Sequence, residues 1–127
     1  MDMKHYHTRE RAATAIKVPL RDPATGAQTE DWIEVRSSLS DQFIEARDAS
    51  LQAAPRIGAL PMDERKDAIK EQQLKLKASL VAGWSFEEEC NEENVIEFLR
   101  NAPQVQAVVV NVADSNVSFF GEPSKNS

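Results

Sequence analysis

The spacing of apolar residues along the chain changes its period once. Between Ala13 and Arg36 apolar residues alternate with polar ones on both sides of Arg21–Thr29, a segment that contains Asp-Pro and Thr-Gly. Alternation is typical of a strand with one buried face, and these dipeptides favour turns. This part of the chain therefore predicts a β-hairpin, which must pack on helices or join a partner's sheet because a lone hairpin is marginal in water.

After the hairpin the apolar spacing becomes helical, and four helices are predicted. Their approximate bounds are residues 39–54, 62–83, 92–101 and 103–120. A serine, Ser38 or Ser40, is expected to cap the first helix and Asn91 to cap the third, while Pro103 suits the first turn of the fourth. Pro55 is expected to end the first helix, because proline breaks the helical hydrogen-bond ladder.

Each long helix is predicted to bury one stripe of side chains. In the first helix the stripe is Leu39, Phe43, Ile44, Arg47 and Leu51, and in the second it is Ile69, Leu76, Leu80 and Trp84. The valines of the fourth helix also favour strands, but no turn signal appears before Asp114, so length favours a helix. The predicted fold class is mainly α with a small N-terminal β-hairpin (α+β).

One domain is predicted over residues 13–120, with a flexible arm at 1–12 and a flexible tail at 121–127. The chain has 127 residues, a net charge of −6 and a single cysteine, Cys90. The negative charge argues against nucleic acid and anionic membranes as partners. No segment is apolar enough for a signal peptide or a membrane span, and a lone cysteine favours a reducing compartment, so a soluble cytoplasmic protein is expected.

The sequence predicts neither an enzyme nor a metal site, and no cofactor. His5, His7 and Cys90 lack the close paired spacing of a zinc site, and the two histidines lie in the arm, where neither can serve a nucleophile as its base. The acidic run at residues 87–93, EEECNEE, lacks the alternating ligands and the glycine of a calcium loop. It is interpreted as a solvated loop that caps the next helix, or as a docking surface for a basic partner helix.

Five residues are candidates for contact with a partner: Trp32, Phe119, Phe120, Glu88 and Glu89. Trp32 lies off the apolar face of its strand, whereas Trp84 ends an apolar stripe and is expected to belong to the core. Adjacent helical residues point about 100° apart, so Phe119 and Phe120 can both be buried only under two-sided cover. That cover is the hairpin, if the pair belongs to the core, or a partner or second copy, if it is an interface.

In its order of features the chain resembles the tail assembly chaperones of long-tailed bacteriophages, in the short form. The resemblance runs from about Ala15 to Phe120 through AIKVPLRDPATGAQTEDWIEV, LSDQFIEAR, LKASLVAGW, ENVIEFLRNAP and DSNVSFF. It implies a non-catalytic chaperone in the bacterial host that binds the tape measure protein and helps to recruit tail tube subunits, with homo-oligomers possible. The alternatives are another helical adaptor or scaffold, and a helix-turn-helix regulator over Asn91–Asn116, whose second helix lacks the Lys and Arg of major-groove readers.

Overall fold

The computed structural model describes residues 1–121, so the predicted tail lies, apart from Gly121, outside the described residues. The chain forms a 3-10 turn at Met3–Tyr6 and then nine further elements. These are α1 (Arg9–Ala13), β1 (Ile16–Arg21), β2 (Gln28–Val35), α2 (Asp41–Gly58), α3 (Met62–Ala78), β3 (Val81–Trp84), α4 (Glu92–Asn101), α5 (Pro103–Ala113) and α6 (Asn116–Phe120). The prediction of a mainly helical chain is confirmed, and the predicted N-terminal β-hairpin is part of a small three-stranded antiparallel sheet. The predicted count of about four helices is only roughly right, since the described residues form six.

The predicted hairpin is present as β1 and β2. Ile16 pairs with Val35 and Val18 with Ile33 in an antiparallel ladder. Ile33 and Val35 are almost fully buried, whereas the alternate residues of β2 are more exposed. The connecting loop contains Gly26 at a φ of 76°, a left-handed conformation that favours glycine.

A third strand, β3, corrects the prediction that the long helix runs to residue 83. The helix ends at Ala78, and β3 pairs antiparallel with β2, placing Trp84 opposite Ile33 and Val81 opposite Val35. The hairpin alone would leave the inner strand β2 with one unpaired edge, and β3 satisfies those backbone groups. Leu80 and Val81 are buried in this arrangement, so their apolar spacing reflects a turn and a strand.

Helix α2 also departs from its prediction at the C-terminal end. It continues through Pro55 to Gly58, and the Pro55 carbonyl accepts a hydrogen bond from the Ala59 amide. Proline removes only its own donor, and Ile57 in the last turn is 9% exposed, so packing holds the helix beyond the proline. The predicted stripe is wrong at Leu39, Arg47 and Leu51, which are exposed, Leu51 by 65%.

The predicted fourth helix is divided into α5 and α6. Residues 108–112 are helical as expected, and Pro103 is in the first turn of α5. The break comes at Asp114 and Ser115, where the Ser115 hydroxyl accepts a hydrogen bond from the Ser118 amide and caps α6. A serine that competes for backbone groups in this way favours a new helix start.

The N-terminal segment, expected to be a flexible arm without regular structure, contains a 3-10 turn and helix α1. The Asp2 carboxylate accepts a hydrogen bond from the Lys4 amide and caps the turn. Ala12 is completely buried, and α1 contacts both α2 and α6. One small apolar residue is enough to dock this short helix, and such a contact leaves no periodic signal in the sequence.

The core lies between one face of the sheet and helices α3, α4 and α5, and it is aliphatic. Its buried members are Ile33, Val35, Leu74, Ala78, Leu80, Val81, Val95, Ile96, Leu99, Ala102, Val105, Val109 and Ala113. Helix α3 contributes Leu74 and Ala78, whereas Ile69 of its predicted stripe is 44% exposed. Among residues 1–121, no helix combines the length and apolarity required to cross a bilayer.

Candidate partner-binding surfaces

Three aromatic rings meet where the sheet adjoins α4. Trp84 ends β3, Phe86 follows it in the loop, and Phe98 lies on α4. Their ring centroids are separated by 5.3 Å (Trp84–Phe86), 5.7 Å (Trp84–Phe98) and 5.1 Å (Phe86–Phe98), all edge to face. Edge-to-face packing stabilises such a cluster, yet all three side chains remain only partly buried.

The three rings line an open cavity of about 400 Å³, called here the aromatic depression. Its other lining residues are Glu88, Asn94, Glu97 and Asn101. The floor is therefore apolar and the rim polar, which is typical of a surface that receives an apolar side chain. Trp84 packs against the core as expected, but it does so from a strand, and its outer side belongs to this depression.

Sequence reasoning missed Phe86 as a member of the site. Trp84 is the last residue of β3 and Phe86 follows it in a bend; in a strand, residues two apart lie on one side of the backbone. That signal becomes visible only when Trp84 is assigned to a strand. The helix predicted over residues 62–83, with Trp84 closing its apolar stripe, gives no reason to group Phe86 with Trp84.

The loop beside the depression is folded by its own hydrogen bonds. The Trp84 indole Nε1 donates to the Glu88 carbonyl at 2.7 Å, and the Asn94 Nδ2 donates to the Glu89 carbonyl at 2.9 Å. Asn91 caps α4, as predicted, because its side-chain oxygen accepts from the Asn94 amide at 2.8 Å. These bonds hold a carboxylate-rich loop in one place, directly before the first turn of α4.

Five glutamates crowd this loop and the start of α4, and they are called here the acidic segment. They are Glu87, Glu88, Glu89, Glu92 and Glu93, and all five are exposed. Within residues 1–121 none of them takes part in a salt bridge. In the same part of the chain, no three His, Cys, Asp or Glu side chains are placed to hold a metal ion together. The segment therefore presents unneutralised negative charge to solvent.

Cys90 lies inside the acidic segment but is itself partly buried. Burial raises the pKa of its thiol, Glu34 raises it further, and Arg36 opposes them. At neutral pH the side chain is therefore held as the neutral thiol, which is a poor nucleophile. It packs against the buried cluster at the edge of the core.

Trp32 lies on the other face of the sheet. It neighbours the buried Ile33 on β2, so its side chain points away from the core, as predicted. The Lys17 ammonium lies 4.1 Å from the centre of the indole ring, within the range of a cation–π contact. Trp84 is paired with Ile33 and shares its face, so the structure does not bring Trp32 and Trp84 together.

Phe119 and Phe120 lie on α6, at a third location. Both are partly buried, their ring centroids are 6.2 Å apart, and the neighbouring Val117 is 81% exposed. Helix α6 packs on α1, and the Arg11 guanidinium donates to the Phe120 carbonyl at 3.0 Å. Of the five predicted contact residues, the structure places Glu88 and Glu89 beside the aromatic depression and the other three elsewhere.

A family model described as phage tail assembly chaperone matches residues 10–118, which is most of the chain. No curated protein and no solved structure matches the chain significantly.

Proposed function

Because this chain belongs to the phage tail assembly chaperone family, we propose that it binds the tape measure protein of its phage and helps to recruit tail tube subunits. A role in phage tail assembly follows from the family. The finer proposal is that the chain acts without catalysis or cofactor, in the cytoplasm of the infected or lysogenic host.

The observation that carries the proposal is the aromatic depression. An assembly chaperone must cover apolar surface on its client and later release it. Three partly exposed rings in one place supply apolar contact area, and the charged rim limits how strongly that area associates without the right partner. The residues that could serve in catalysis give no comparable support for an enzyme. His5 and His7 lie in the N-terminal 3-10 turn and its cap, far along the chain from the depression, and the Cys90 thiol is held neutral.

The helix-turn-helix alternative is disfavoured by the composition of its second helix. Residues 103–120 contain no Lys or Arg, and α5 and α6 have no basic residue in their last turns. A helix that reads the major groove needs donors for base edges and cations for phosphates. A helical adaptor with a different client remains the second candidate, and the experiment below distinguishes it.

The proposal is tested by co-expressing the chain with the tape measure protein of its phage. We expect the tape measure protein to move from the insoluble to the soluble fraction and to co-purify with the chain. Tail tube protein added to that complex should then bind it, and not bind the tape measure protein alone. A tape measure protein that is equally soluble alone and forms no complex would contradict the proposal and favour the adaptor.

A further inference from the structure

We infer that the aromatic depression and the acidic segment form one docking site for a protein segment in which an apolar side chain is flanked by Lys or Arg. The inference rests on the proposed function in one respect, because it takes the occupant to be a segment of the client. The residues of the site indicate the composition of that segment, which membership of the family does not.

The apolar part of the site selects one inserted side chain. Trp84, Phe86 and Phe98 contact each other by their edges, which leaves ring surface open to the cavity of about 400 Å³. Aromatic pockets of this kind bind a large apolar side chain of a partner, because burying it removes apolar surface from water on both sides. The side chain that enters is therefore a residue such as Leu, Met or Phe.

The rim of the depression offers more acceptors than donors, because the Asn101 amide group and one hydrogen of the Asn94 amide group already donate within the chain. The Asn101 Nδ2 donates to the Glu97 carbonyl and to Glu97 Oε1, and the Asn94 Nδ2 donates to the Glu89 carbonyl. Within residues 1–121 the side-chain oxygen of neither asparagine accepts a hydrogen bond. A partner that docks here must therefore supply hydrogen-bond donors to the free oxygen atoms of the rim.

Charge points to the same partner. Glu92 and Glu93 in the first turn of α4 are explained by the positive end of the helix dipole. Glu87, Glu88 and Glu89 precede the helix, and no salt bridge within the described residues offsets them. Glu97 is engaged by Arg100 at 2.7 Å, so the free carboxylates lie on the Glu88 side of the depression. Lys or Arg beside the inserted side chain would pair with them.

Other occupants fit less well. The carboxylates do not converge on one point, so a bound cation would lack the ligand set that it needs. Nucleic acid and anionic lipid would be repelled by the same charges. A basic, apolar protein segment satisfies the depression, its rim and the acidic segment together.

The test uses three synthetic helix-forming peptides of equal length. The first has leucines on one face flanked by lysines, the second has glutamates in place of the lysines, and the third has serines in place of the leucines. In a Trp32→Phe background, the fluorescence of Trp84 reports on the depression alone. We expect the first peptide to change that emission and to bind at least about tenfold more tightly than either of the others.

Variants of the chain locate the binding. Two site variants should each lower the affinity for the lysine–leucine peptide by about tenfold: Phe86→Ser, and the triple change Glu87→Gln, Glu88→Gln and Glu89→Gln. Added salt should lower the affinity further. The matched controls are Leu51→Ser, which removes an exposed apolar side chain, and Glu30→Gln with Glu45→Gln and Asp48→Asn, which removes the same charge elsewhere. The controls should bind as the parent does. Circular dichroism establishes that each variant is folded.

Equal binding of the lysine–leucine peptide to the parent chain and to both site variants would overturn the inference, and so would equal binding of the glutamate peptide. The tape measure protein separates this failure from failure of the proposed function. If its complex with the chain is unchanged in both site variants, the site is wrong and the function stands. If it forms no complex with the parent while the peptide still binds, the docking site stands and the client is wrong.

Discussion

At the residue scale, Arg36 connects elements that are distant in the sequence. Its Nη1 donates to the carbonyls of Ser79 and Val81 at 3.0 and 3.2 Å, and its own amide donates to the Leu80 carbonyl at 2.6 Å. The Arg36 side chain is partly buried, and it supplies these carbonyls with hydrogen bonds that water would otherwise have to provide. Arg36 thereby fixes the turn that leads from α3 into β3.

We predict that Arg36→Ala lowers the free energy of unfolding by about 2 kcal/mol, since a charged donor to two partly buried carbonyls is lost. Urea unfolding followed by circular dichroism measures the change. Arg47→Ala on the exposed side of α2 is the control, with an expected effect below about 0.5 kcal/mol. Equal stability of the two variants would show that water replaces the guanidinium without cost.

A second residue-scale prediction concerns the Cys90 thiol, whose pKa is raised first by burial and then by Glu34, against Arg36. A raised pKa means that the folded chain keeps its proton at a pH where the unfolded chain has begun to lose it. Reaction with a disulfide reagent should therefore be slower at pH 8 in the folded chain, with its pH midpoint shifted upward. A pH series of reaction rates for the native and urea-unfolded chain measures this.

Variants of the two charged neighbours of Cys90 separate the causes. Glu34→Gln should move the midpoint of the reaction downward, and Arg36→Ala should move it upward. A midpoint that is the same in the folded and unfolded chain would contradict the pKa shift.

Residue-level signals that depend on near neighbours could be predicted from the sequence. The Ser40 and Asn91 caps and Pro103 in a first turn are found as expected, since each acts within three residues of its position. Arg36 could not be found in this way, because its partners follow it by more than 40 residues. The site was missed for another reason: Phe86 joins Trp84 and Phe98 only because the chain leaves α3 after Ala78 and β3 pairs with β2.

At the scale of elements, the sequence predicted the hairpin and α4 well and the surroundings of β3 poorly. The segment Leu76–Trp84 has apolar residues at helical spacing, and that pattern competes with a turn followed by a short strand. The vacant edge of β2 decides between them, and a vacant edge is a property of the sheet. A strand of four residues is too short for the alternation of apolar and polar side chains to predict it.

The proline inside α2 gives an element-scale prediction. Pro55 lies in the last part of an 18-residue helix, where it removes a hydrogen bond and crowds the preceding turn. Pro55→Ala should raise the free energy of unfolding by about 1–2 kcal/mol, after allowance for the looser unfolded chain. Chemical denaturation measures it.

Pro103→Ala is the matched contrast for Pro55→Ala. Pro103 is in the first turn of α5, where the missing amide hydrogen has no helical partner to lose. This second change should leave stability unchanged or slightly lower. A gain of equal size in both variants would show that position within the helix does not govern the effect.

At the scale of the whole molecule, β2 is the central strand of a sheet whose outer strands resist further pairing. Strand β1 carries Lys17 and Pro19, and β3 has only four residues. Lysine, proline and short length all discourage edge-to-edge association. We therefore expect partners to bind through side chains and not by extending the sheet.

The C-terminal phenylalanines allow a prediction at this scale, because α6 packs on α1 and both rings are partly buried. Phe119→Ser together with Phe120→Ser should lower the free energy of unfolding by about 2–3 kcal/mol, less than for two fully buried rings. Thermal unfolding measures the loss, and binding of the lysine–leucine peptide should persist in the folded fraction. Unchanged stability with loss of client binding would instead make the pair a partner contact.

The hydrogen bond between Arg11 and the Phe120 carbonyl has a consequence for protein engineering. Helices α1 and α6 are in contact, so a short glycine-rich linker from the end of α6 to the start of α1 would make the backbone circular. New ends opened beside Gly26, in the exposed loop between β1 and β2, would then yield a circular permutant with the same core.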